Sequence, residues 1–176
     1  DKPGIPALSV RAISDGTMIA WRISWTDPTS DAQVDTARFC DALAVQFPLI
    51  ANSSPMMGFA GGKVHIVHWK AVWQGDVEKG FQDDADLYPN TWTDLYWFAE
   101  GKSIRAGFND PRSHAWLIAY SAGNPLAVFT RTQPVEEAFA VGFGTLTTRP
   151  RTLSKANGAW TRDTWAVVLQ RPLRTD

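Results

Sequence analysis

Thioether, imidazole and amine groups stand close together in one stretch of the chain, residues 55–71 (PMMGFAGGKVHIVHWKA). Met57 precedes Gly58 there, and two histidines and two lysines follow within a largely apolar run. A thioether is a soft ligand that favours reduced iron, and a methionine ligand raises the reduction potential of a haem. Glycine beside the methionine would let the backbone lie close to a flat group without a side-chain clash. The stretch therefore indicates a bound prosthetic group, for which haem is the best match.

Any haem in this chain would have to be bound without a covalent link. Cys40 is the only cysteine, so a Cys-x-x-Cys-His attachment motif, an internal disulfide and a four-thiolate zinc site are all excluded. A second axial ligand must come from the opposite side of the ring, and hence from a different segment. Two strong protein ligands leave no open position on the iron, so such a site transfers electrons and catalyses no bond chemistry.

Other chemistries have less support in the sequence. It contains no Gly-x-Ser-x-Gly elbow, no His-Glu-x-x-His zinc motif and no glycine-rich phosphate loop or dinucleotide fingerprint. His65 and His68 are three residues apart, and on a strand this spacing places them on opposite faces. They therefore cannot both bind one metal ion from that strand.

The composition is that of a folded globular protein. The chain has 176 residues, of which 44% are apolar and 20% charged, which predicts one domain with a sizeable core. The formal net charge is −1 and there is no long basic run, which argues against nucleic acid or an anionic membrane surface as partner. No run of about 18 apolar residues exists, so no membrane span is predicted. The chain begins at Asp1 rather than Met, as expected of an exported protein after signal-peptide removal, or of a trimmed sequence.

The apolar pattern predicts a mainly β fold. Residues 17–25 (TMIAWRISW) alternate between two faces, with Trp21 and Trp25 on the apolar one, and the turn signal Asp15-Gly16 joins them to a strand at 7–13. Further strands are predicted at 63–71, 114–120, 135–147, 152–156 and 165–172, with turns at Asn157-Gly158 and Arg162-Asp163. Many short strands predict an antiparallel β-sandwich with one or two short helices.

One helix and one long insertion interrupt the predicted strands. The helix is expected at 36–46, with Asp35 as its N-cap and Phe47-Pro48 as its end. Residues 73–113 are polar and rich in Gly, Asp and aromatic side chains, and we expect a long loop or insertion within a single domain spanning 1–176. In the strand at 135–147, Gly142 and Gly144 predict a bulge or a close approach to a flat partner.

Three segments together resemble a known family. The run at 57–71, the GFGT segment at 142–145 and the WAVVLQR segment at 165–171 are similar to the haem-binding gamma subunit of periplasmic molybdenum enzymes. That group includes ethylbenzene dehydrogenase, dimethylsulfide dehydrogenase, selenate reductase and chlorate reductase. The first hairpin and the Gln-Phe-Pro step at 46–48 extend the similarity to most of the chain, apart from about 73–113.

The resemblance implies a DOMON-like β-sandwich that holds one b-type haem, without covalent attachment, between a methionine and a lysine. The family's Met-Gly step falls on Met57, which we therefore prefer to Met56. The family's ligand lysine falls on Lys155, so we predict Lys155 as the second axial ligand and Lys70 as the fallback. Lys102 is a third candidate, in the insertion where the family pattern provides no anchor.

A lysine ligand must be deprotonated before its nitrogen can bind iron. An unperturbed lysine has a pKa of about 10.4, so an apolar pocket and the charge of the iron would have to lower it. Ligation by lysine should then be lost at low pH. Histidine needs no such help, and His65, His68 and His114 remain alternative ligands.

Other residues are expected around the haem because they belong to the matching motifs. His68 lies in the His-Trp-Lys step and is predicted to line the pocket, and Trp69 and Phe143 are predicted as its apolar walls. Gly58 would allow the close approach of the backbone. The candidates for contacts with the haem propionates are Arg131, Arg149 and Arg151.

The function implied by the resemblance is electron transfer in the periplasm, and not catalysis by this chain. The partners would be the iron–sulfur and molybdopterin subunits of the same complex and a soluble c-type cytochrome. The alternative is a carbohydrate-binding β-sandwich that uses surface tryptophans, of which the chain has nine in total. Trp21 and Trp25 share a strand face with isoleucines, which indicates core packing and favours the haem protein.

Overall fold

The described residues divide into two compact units. The first comprises Asp1–Gln74 and Gln133–Asp176, and the second is Gly75–Thr132. The structure is a computed structural model and describes residues 4–91, 111, 114–115 and 117–174. Most of the insertion expected at 73–113 belongs to the second unit, and its residues 92–110 and 112–113 lie outside the described residues.

Two antiparallel sheets of four strands form the first unit and confirm the predicted β-sandwich. The first sheet has the strand order β1-β2-β8-β7 and the second has the order β3-β4-β5-β6. The strands are β1 (Ser9–Ser14), β2 (Met18–Thr26), β3 (Ala42–Pro48), β4 (Val64–Lys70), β5 (Val135–Ala140), β6 (Thr147–Thr148), β7 (Lys155–Trp160) and β8 (Thr164–Pro172).

Two of the three predicted turns, Asp15-Gly16 and Arg162-Asp163, are confirmed as the connections of hairpins. The side-chain Oδ1 of Asp15 accepts a hydrogen bond from the amide of Met18 at 2.7 Å, and this closes the β1–β2 turn. Arg162 and Asp163 both have positive φ, at 49° and 57°, as the tight turn between β7 and β8 requires. The turn predicted at Asn157-Gly158 is wrong, because these residues lie inside β7.

The core lies between the sheets and is built around tryptophan. Trp25, Trp69 and Trp165 are almost fully buried, and the Trp69 and Trp165 rings meet edge to face with centroids 5.1 Å apart. The Nε1 atom of Trp69 donates to Oε1 of Gln74 at 3.2 Å, and Nε1 of Trp165 donates to Oδ2 of Asp41 at 2.8 Å. In the described part of the chain every tryptophan is buried or half-buried, so none forms an exposed platform for sugars.

The helix predicted at 36–46 is wrong. Strand β3 takes up the second half of that range, and residues 36–41 contain no helix. Leu43, Val45 and Phe47 recur at every second position and all pack on the core between the sheets. A period of two is that of a strand. Burial of these three side chains between the sheets therefore outweighs the weak helical pattern of apolar residues in the sequence.

Two strand predictions are also wrong. The range 114–120 contains no strand in its described residues, and a helix of four residues begins at Ile118. A short apolar run does not by itself distinguish a strand from a helix. The strand predicted at 135–147 ends at Ala140, because Gly142, with φ of 127°, lies in a turn that leads to β6.

The helices in the described residues are short. They are α1 (Ala71–Lys79), α2 (Asp84–Leu87) and α3 (Ile118–Ser121), with a 3-10 turn at Pro125–Ala127. The first residues of α1 belong to the core of the first unit, where the Ala71 amide donates to the Asp41 carbonyl at 2.8 Å. None of the described helices has the length and apolar character needed to cross a membrane.

Candidate functional site

Strand β4 presents two chemically different faces. His65, Val67 and Trp69 point into the core, because their neighbours there are the residues of the first sheet. The alternate side chains point away from the first sheet and, with those of β3 and β5 at matching register, form what we call the outer face of the second sheet. The outer face consists of Ala42, Ala44, Gln46, Pro48, Val64, Ile66, His68, Lys70, Glu136, Ala138 and Ala140.

Met57 lies against one end of this outer face. It belongs to the loop between β3 and β4, and its half-buried side chain packs on the apolar cluster of Val64, Ile66 and Ala140. The Met57 carbonyl accepts a hydrogen bond from the amide of Gly142 at 2.9 Å. The loop after β3 and the turn after β5 are thus joined directly at the predicted methionine ligand.

Gly58 is required by the loop itself. It is buried with φ of 78°, and a Cβ atom there would lie 2.4 Å from the Gly62 carbonyl oxygen and 3.2 Å from that of Ala140. No real side chain can occupy that space without moving the backbone. In this structure Gly58 therefore packs closely against backbone carbonyl groups of the same chain. This packing fixes the position of the neighbouring Met57.

His68 stands on the outer face next to a carboxylate. Its Nδ1 atom is 3.3 Å from Oε1 of Glu136, and the Thr148 hydroxyl donates to the other Glu136 oxygen at 3.3 Å. An ionised carboxylate can only accept a hydrogen bond, so Nδ1 carries the proton in this pair. In the neutral ring the lone pair is then on Nε2, which has no hydrogen-bond partner among the described residues.

Lys70 shares the outer face but has a different neighbour. Its Nζ atom lies 5.1 Å from the ring centroid of Trp73, within the range of a cation–π contact. The Trp73 ring also meets His68 edge to face, with centroids 5.4 Å apart. The outer face thus carries a sulfur, an imidazole and an amine on one sheet.

Lys155 lies on a different surface from Met57. It is the exposed first residue of β7, and its strand neighbours Ala156 and Gly158 are the ones that face the core. Its side chain therefore points away from the second sheet, whereas Met57 packs on the far side of that sheet. The structure does not bring these two predicted ligands together, and their pairing remains a prediction. Lys102 lies outside the described residues.

Trp69 and Phe143, the two residues predicted as apolar walls of the haem pocket, lie in different parts of the first unit. Trp69 is fully buried in the core, so it faces away from the side on which Met57 packs. Phe143 is 71% exposed in the turn after β5, directly after Gly142, whose amide holds Met57. Of the two aromatic residues, only Phe143 is therefore joined to the methionine loop.

These two loops carry many exposed apolar side chains. Large contiguous patches of exposed apolar side chains, and not single exposed residues, mark sites that bind a ligand or another protein. The loop that contains Met57 and the turn that contains Phe143 contribute Leu49, Ile50, Met56, Phe59, Val141, Phe143 and Leu146. We call these residues the exposed loop cluster.

Comparison with known proteins agrees with the motifs. A family model described as ethylbenzene dehydrogenase matches residues 1–176. This chain belongs to the ethylbenzene dehydrogenase family. The match confirms the resemblance seen in the sequence motifs and is consistent with the gamma subunit of this group of molybdenum enzymes. Among proteins with curated descriptions, no match is found.

This member of the ethylbenzene dehydrogenase family also has a buried polar network that the sequence analysis missed. His65 is fully buried, with Nε2 3.2 Å from Oε2 of Glu137 and Nδ1 3.1 Å from Nη1 of Arg171. Arg149 donates to the same Glu137 oxygen at 2.7 Å. Both ring nitrogens of His65 are therefore next to charged partners inside the sandwich, so His65 lies in the core and not on the outer face.

Glu137 is the centre of this network. Its Oε1 atom accepts hydrogen bonds from the Ser154 hydroxyl at 2.6 Å and from the Ser154 amide at 2.8 Å. Burial alone would raise the pKa of the Glu137 carboxyl, but the close His65 ring and the Ser154 hydrogen bonds outweigh it and lower the pKa to about 2. Burial lowers the pKa of Arg171, and the charge of Glu137 opposes that shift.

A signal for this network was present in the strand pattern. In VEEAFA the residues Val135, Glu137 and Phe139 share one face, so a core-facing Val135 implies a carboxylate in the core. A buried charge requires partners. The partners Arg149, Arg171 and Ser154 come from other segments, and nothing in the local sequence identifies them.

The remaining candidates belong elsewhere. His114 is part of the second unit, where its ring lies 4.8 Å from that of Tyr120. Arg131 is in the same unit and donates to the Pro125 carbonyl. Arg151 is exposed. Within the described ranges, no group of three or more His, Cys, Asp or Glu side chains could hold a metal ion.

Proposed function

We propose that this member of the ethylbenzene dehydrogenase family binds one b-type haem without a covalent link and serves as an electron-transfer subunit. The observation that carries the proposal is that Met57 packs on the same outer face as the imidazole of His68 and the amine of Lys70. A soft sulfur and a nitrogen donor beside one apolar surface are the ligand types of a six-coordinate haem.

The residues of the outer face fit such a group. Val64, Ile66, Ala138 and Ala140 point away from the core, so the outer face is apolar near Met57. The exposed loop cluster adds apolar side chains that a flat hydrophobic group could cover. Lys155 is the lysine ligand that the resemblance implies and Lys70 is the fallback, and of the two only Lys70 shares the face of Met57.

The haem would supply single-electron transfer, and this chain would hold it and shield it from water. Membership of the ethylbenzene dehydrogenase family supports a place in a multi-subunit molybdenum enzyme, in which the substrate reaction belongs to another subunit. We propose that the iron–sulfur and molybdopterin subunits are its partners in the complex, that a soluble c-type cytochrome exchanges electrons with it, and that it works in the periplasm.

Titration of the purified chain with haem tests the proposal. We expect a Soret band that saturates at one haem per chain, and a low-spin six-coordinate spectrum in both oxidation states. Carbon monoxide should not bind the reduced form, because both axial positions are taken by protein. Absence of a saturable Soret band would refute the proposal, and a high-spin spectrum that binds carbon monoxide would refute the electron-transfer role.

A further inference from the structure

We infer that the exposed loop cluster is the docking surface for a permanent partner subunit, and that it meets an apolar, uncharged face of that subunit. This role depends on the proposed function, since a partner subunit exists only if the chain belongs to a complex. The family match does not specify which surface of the chain a partner contacts or what kind of contact it makes.

The cluster lies at one end of the second sheet. In the strand register Pro48 lies opposite Val64, and Val64 lies opposite Ala140. Because antiparallel neighbours run in opposite directions, β3 ends, β4 begins and β5 ends at the same end of the sheet. The loop after β3 and the turn after β5 therefore leave the sheet side by side, and the hydrogen bond from Gly142 to Met57 joins them.

The loops that carry the cluster contain no charged residue. Residues 49–62 and 138–148 include no Asp, Glu, Lys, Arg or His, whereas 20% of the whole chain is charged. They do include exposed methionine and phenylalanine at Met56, Phe59 and Phe143. Depletion of charge together with enrichment in aromatic residues and methionine is typical of the buried centre of a protein–protein interface.

Backbone hydrogen bonds hold the loop that carries Phe59 in one conformation. The Phe59 amide donates to the Gly62 carbonyl at 3.2 Å, and the Gly62 amide donates back to the Phe59 carbonyl at 2.7 Å. The Gly58 amide donates to the Ser54 carbonyl at 3.0 Å. An interface built on such a loop loses little conformational entropy when the partner binds.

The turn that carries Phe143 is held in a similar way by one side chain. The Thr145 hydroxyl accepts a hydrogen bond from the Val141 amide at 2.9 Å and donates to the Gly142 carbonyl at 2.6 Å. Phe143 lies between these bonded residues and is 71% exposed. The turn therefore presents an aromatic ring to the outside on a preformed backbone.

The absence of charge indicates which class of protein partner fits. Encounters between soluble redox proteins are small and are steered by complementary charges, which these loops do not offer. Permanent interfaces are more apolar and resemble a protein core cut in half. A subunit that stays bound therefore fits the cluster better than a soluble cytochrome that binds and leaves.

The basic residues that flank the two segments are occupied within the chain. The Lys63 amine lies 3.9 Å from the ring centroid of Phe139, and Arg149 donates to Glu137 at 2.7 Å. Loops that bind anionic lipid surfaces use basic side chains for that purpose. The surroundings of the cluster thus favour a protein over a lipid surface.

Site-specific photo-cross-linking in the intact complex tests this role. The complex is purified through a tag on this chain, with p-benzoylphenylalanine placed at Ile50 or at Leu146, which are 47% and 48% exposed. Ile13 is the control position, because it is 76% exposed on β1 of the first sheet. We expect cross-links from the two cluster positions, and not from Ile13, to peptides of the iron–sulfur or molybdopterin subunit.

Other cross-linked products would contradict the assignment. Adducts only to a second copy of this chain, to lipid or to the porphyrin would overturn the inference, as would the absence of any adduct to a partner subunit. Failure of the haem titration overturns the proposed function. A haem-loaded chain without a partner cross-link at the cluster overturns only the inference.

Charged variants test the apolar nature of the contact. Ile50→Glu and Leu146→Glu would each bury a carboxylate without a partner, so we expect the Kd between the haem-loaded chain and the rest of the complex to rise at least about tenfold. Ile13→Glu should leave this Kd unchanged. Unfolding curves confirm that each variant is folded. Unchanged affinity in either cluster variant, or equal weakening by Ile13→Glu, would overturn the inference.

The salt dependence of the same Kd separates a permanent apolar contact from a charge-steered one. We expect less than about a twofold change between low salt and about 0.5 M NaCl, since salt screens only charge interactions. A rise of about tenfold or more over this range would overturn the inference and assign the partner contact to charged surfaces elsewhere on the chain.

Discussion

The amide of Gly142 donates a hydrogen bond to the carbonyl oxygen of Met57 at 2.9 Å. Met57 has φ of 62°, a left-handed conformation that costs a residue other than glycine about 1–3 kcal/mol. The turn after β5 therefore holds the methionine backbone in a conformation that it would not adopt alone. A side chain fixed in this way is suited to meet a bound group without rearrangement.

Met57→Ala should remove the sulfur ligand while leaving the chain folded. We expect the haem-loaded variant to become high-spin or to acquire a different sixth ligand, and its reduction potential to fall, because a thioether stabilises reduced iron. Absorption spectra and redox titration measure both effects. Met56→Ala is the matched control, since Met56 is 60% exposed beside it. Equal spectral changes in the two variants would argue against Met57 as the ligand.

Gly58→Ala should destabilise the chain far more than Gly61→Ala. Both glycines have φ near 80°, so each alanine costs about 1–2 kcal/mol for conformation alone. Only at Gly58 would the new Cβ meet a carbonyl oxygen at 2.4 Å, since nothing lies within 4 Å at Gly61. We expect an additional loss of about 1–3 kcal/mol in urea unfolding for Gly58→Ala. Similar losses for both would contradict the packing role assigned to Gly58.

Gly158→Ala should destabilise the core although alanine suits a strand better than glycine. The new Cβ would lie 2.3 Å from Cζ2 of Trp69, and the ring is fully buried with its Nε1 held by Gln74. We expect a loss of about 1–3 kcal/mol, measured by chemical denaturation. Asn157→Ala, at the exposed neighbouring position of β7, should change stability by less than about 0.5 kcal/mol. A neutral Gly158→Ala would mean that Trp69 has room to move.

Glu137→Gln should lower stability at neutral pH by about 3–5 kcal/mol, because it removes a fully buried carboxylate that is the ion-pair partner of the half-buried Arg149. The pKa of Glu137 is about 2 when folded, against a reference value of 4.5. A pKa lowered by folding contributes stability that is fully present above the unfolded value and is lost as pH falls toward the folded one. The wild-type chain should therefore lose this contribution between about pH 5 and pH 2.

Urea unfolding at several pH values measures this effect on Glu137. The variant Glu137→Gln should show a flatter decline of stability below pH 5 than the wild type, since the titrating group is gone. Asp163→Asn removes a carboxylate from the exposed turn between β7 and β8 and serves as the control. Parallel pH curves for wild type and Glu137→Gln would show that the buried carboxylate is not the source of the acid sensitivity.

Local chemistry sufficed for several features of this chain. Aspartate with glycine at 15–16 and the alternation of Trp21 and Trp25 predict the first hairpin and its core face, because turn geometry and side-chain direction depend on neighbouring residues. The motif around Met57 also led to the correct family. Where the pattern was ambiguous, as at 36–46, burial of Leu43 and Val45 between the sheets decided in favour of a strand.

The sequence by itself determined the sandwich class, the family and the methionine loop, since each depends on motifs or on a period within one segment. Only the tertiary structure decided which donors share a surface with Met57. Sheet membership and strand register place His68 on the face of Met57 and Lys155 on another. They also bring Glu137 to Arg149 and Ser154 inside the core. These pairings join residues far apart in the chain, and spacing along a sequence carries no information about which strands become neighbours.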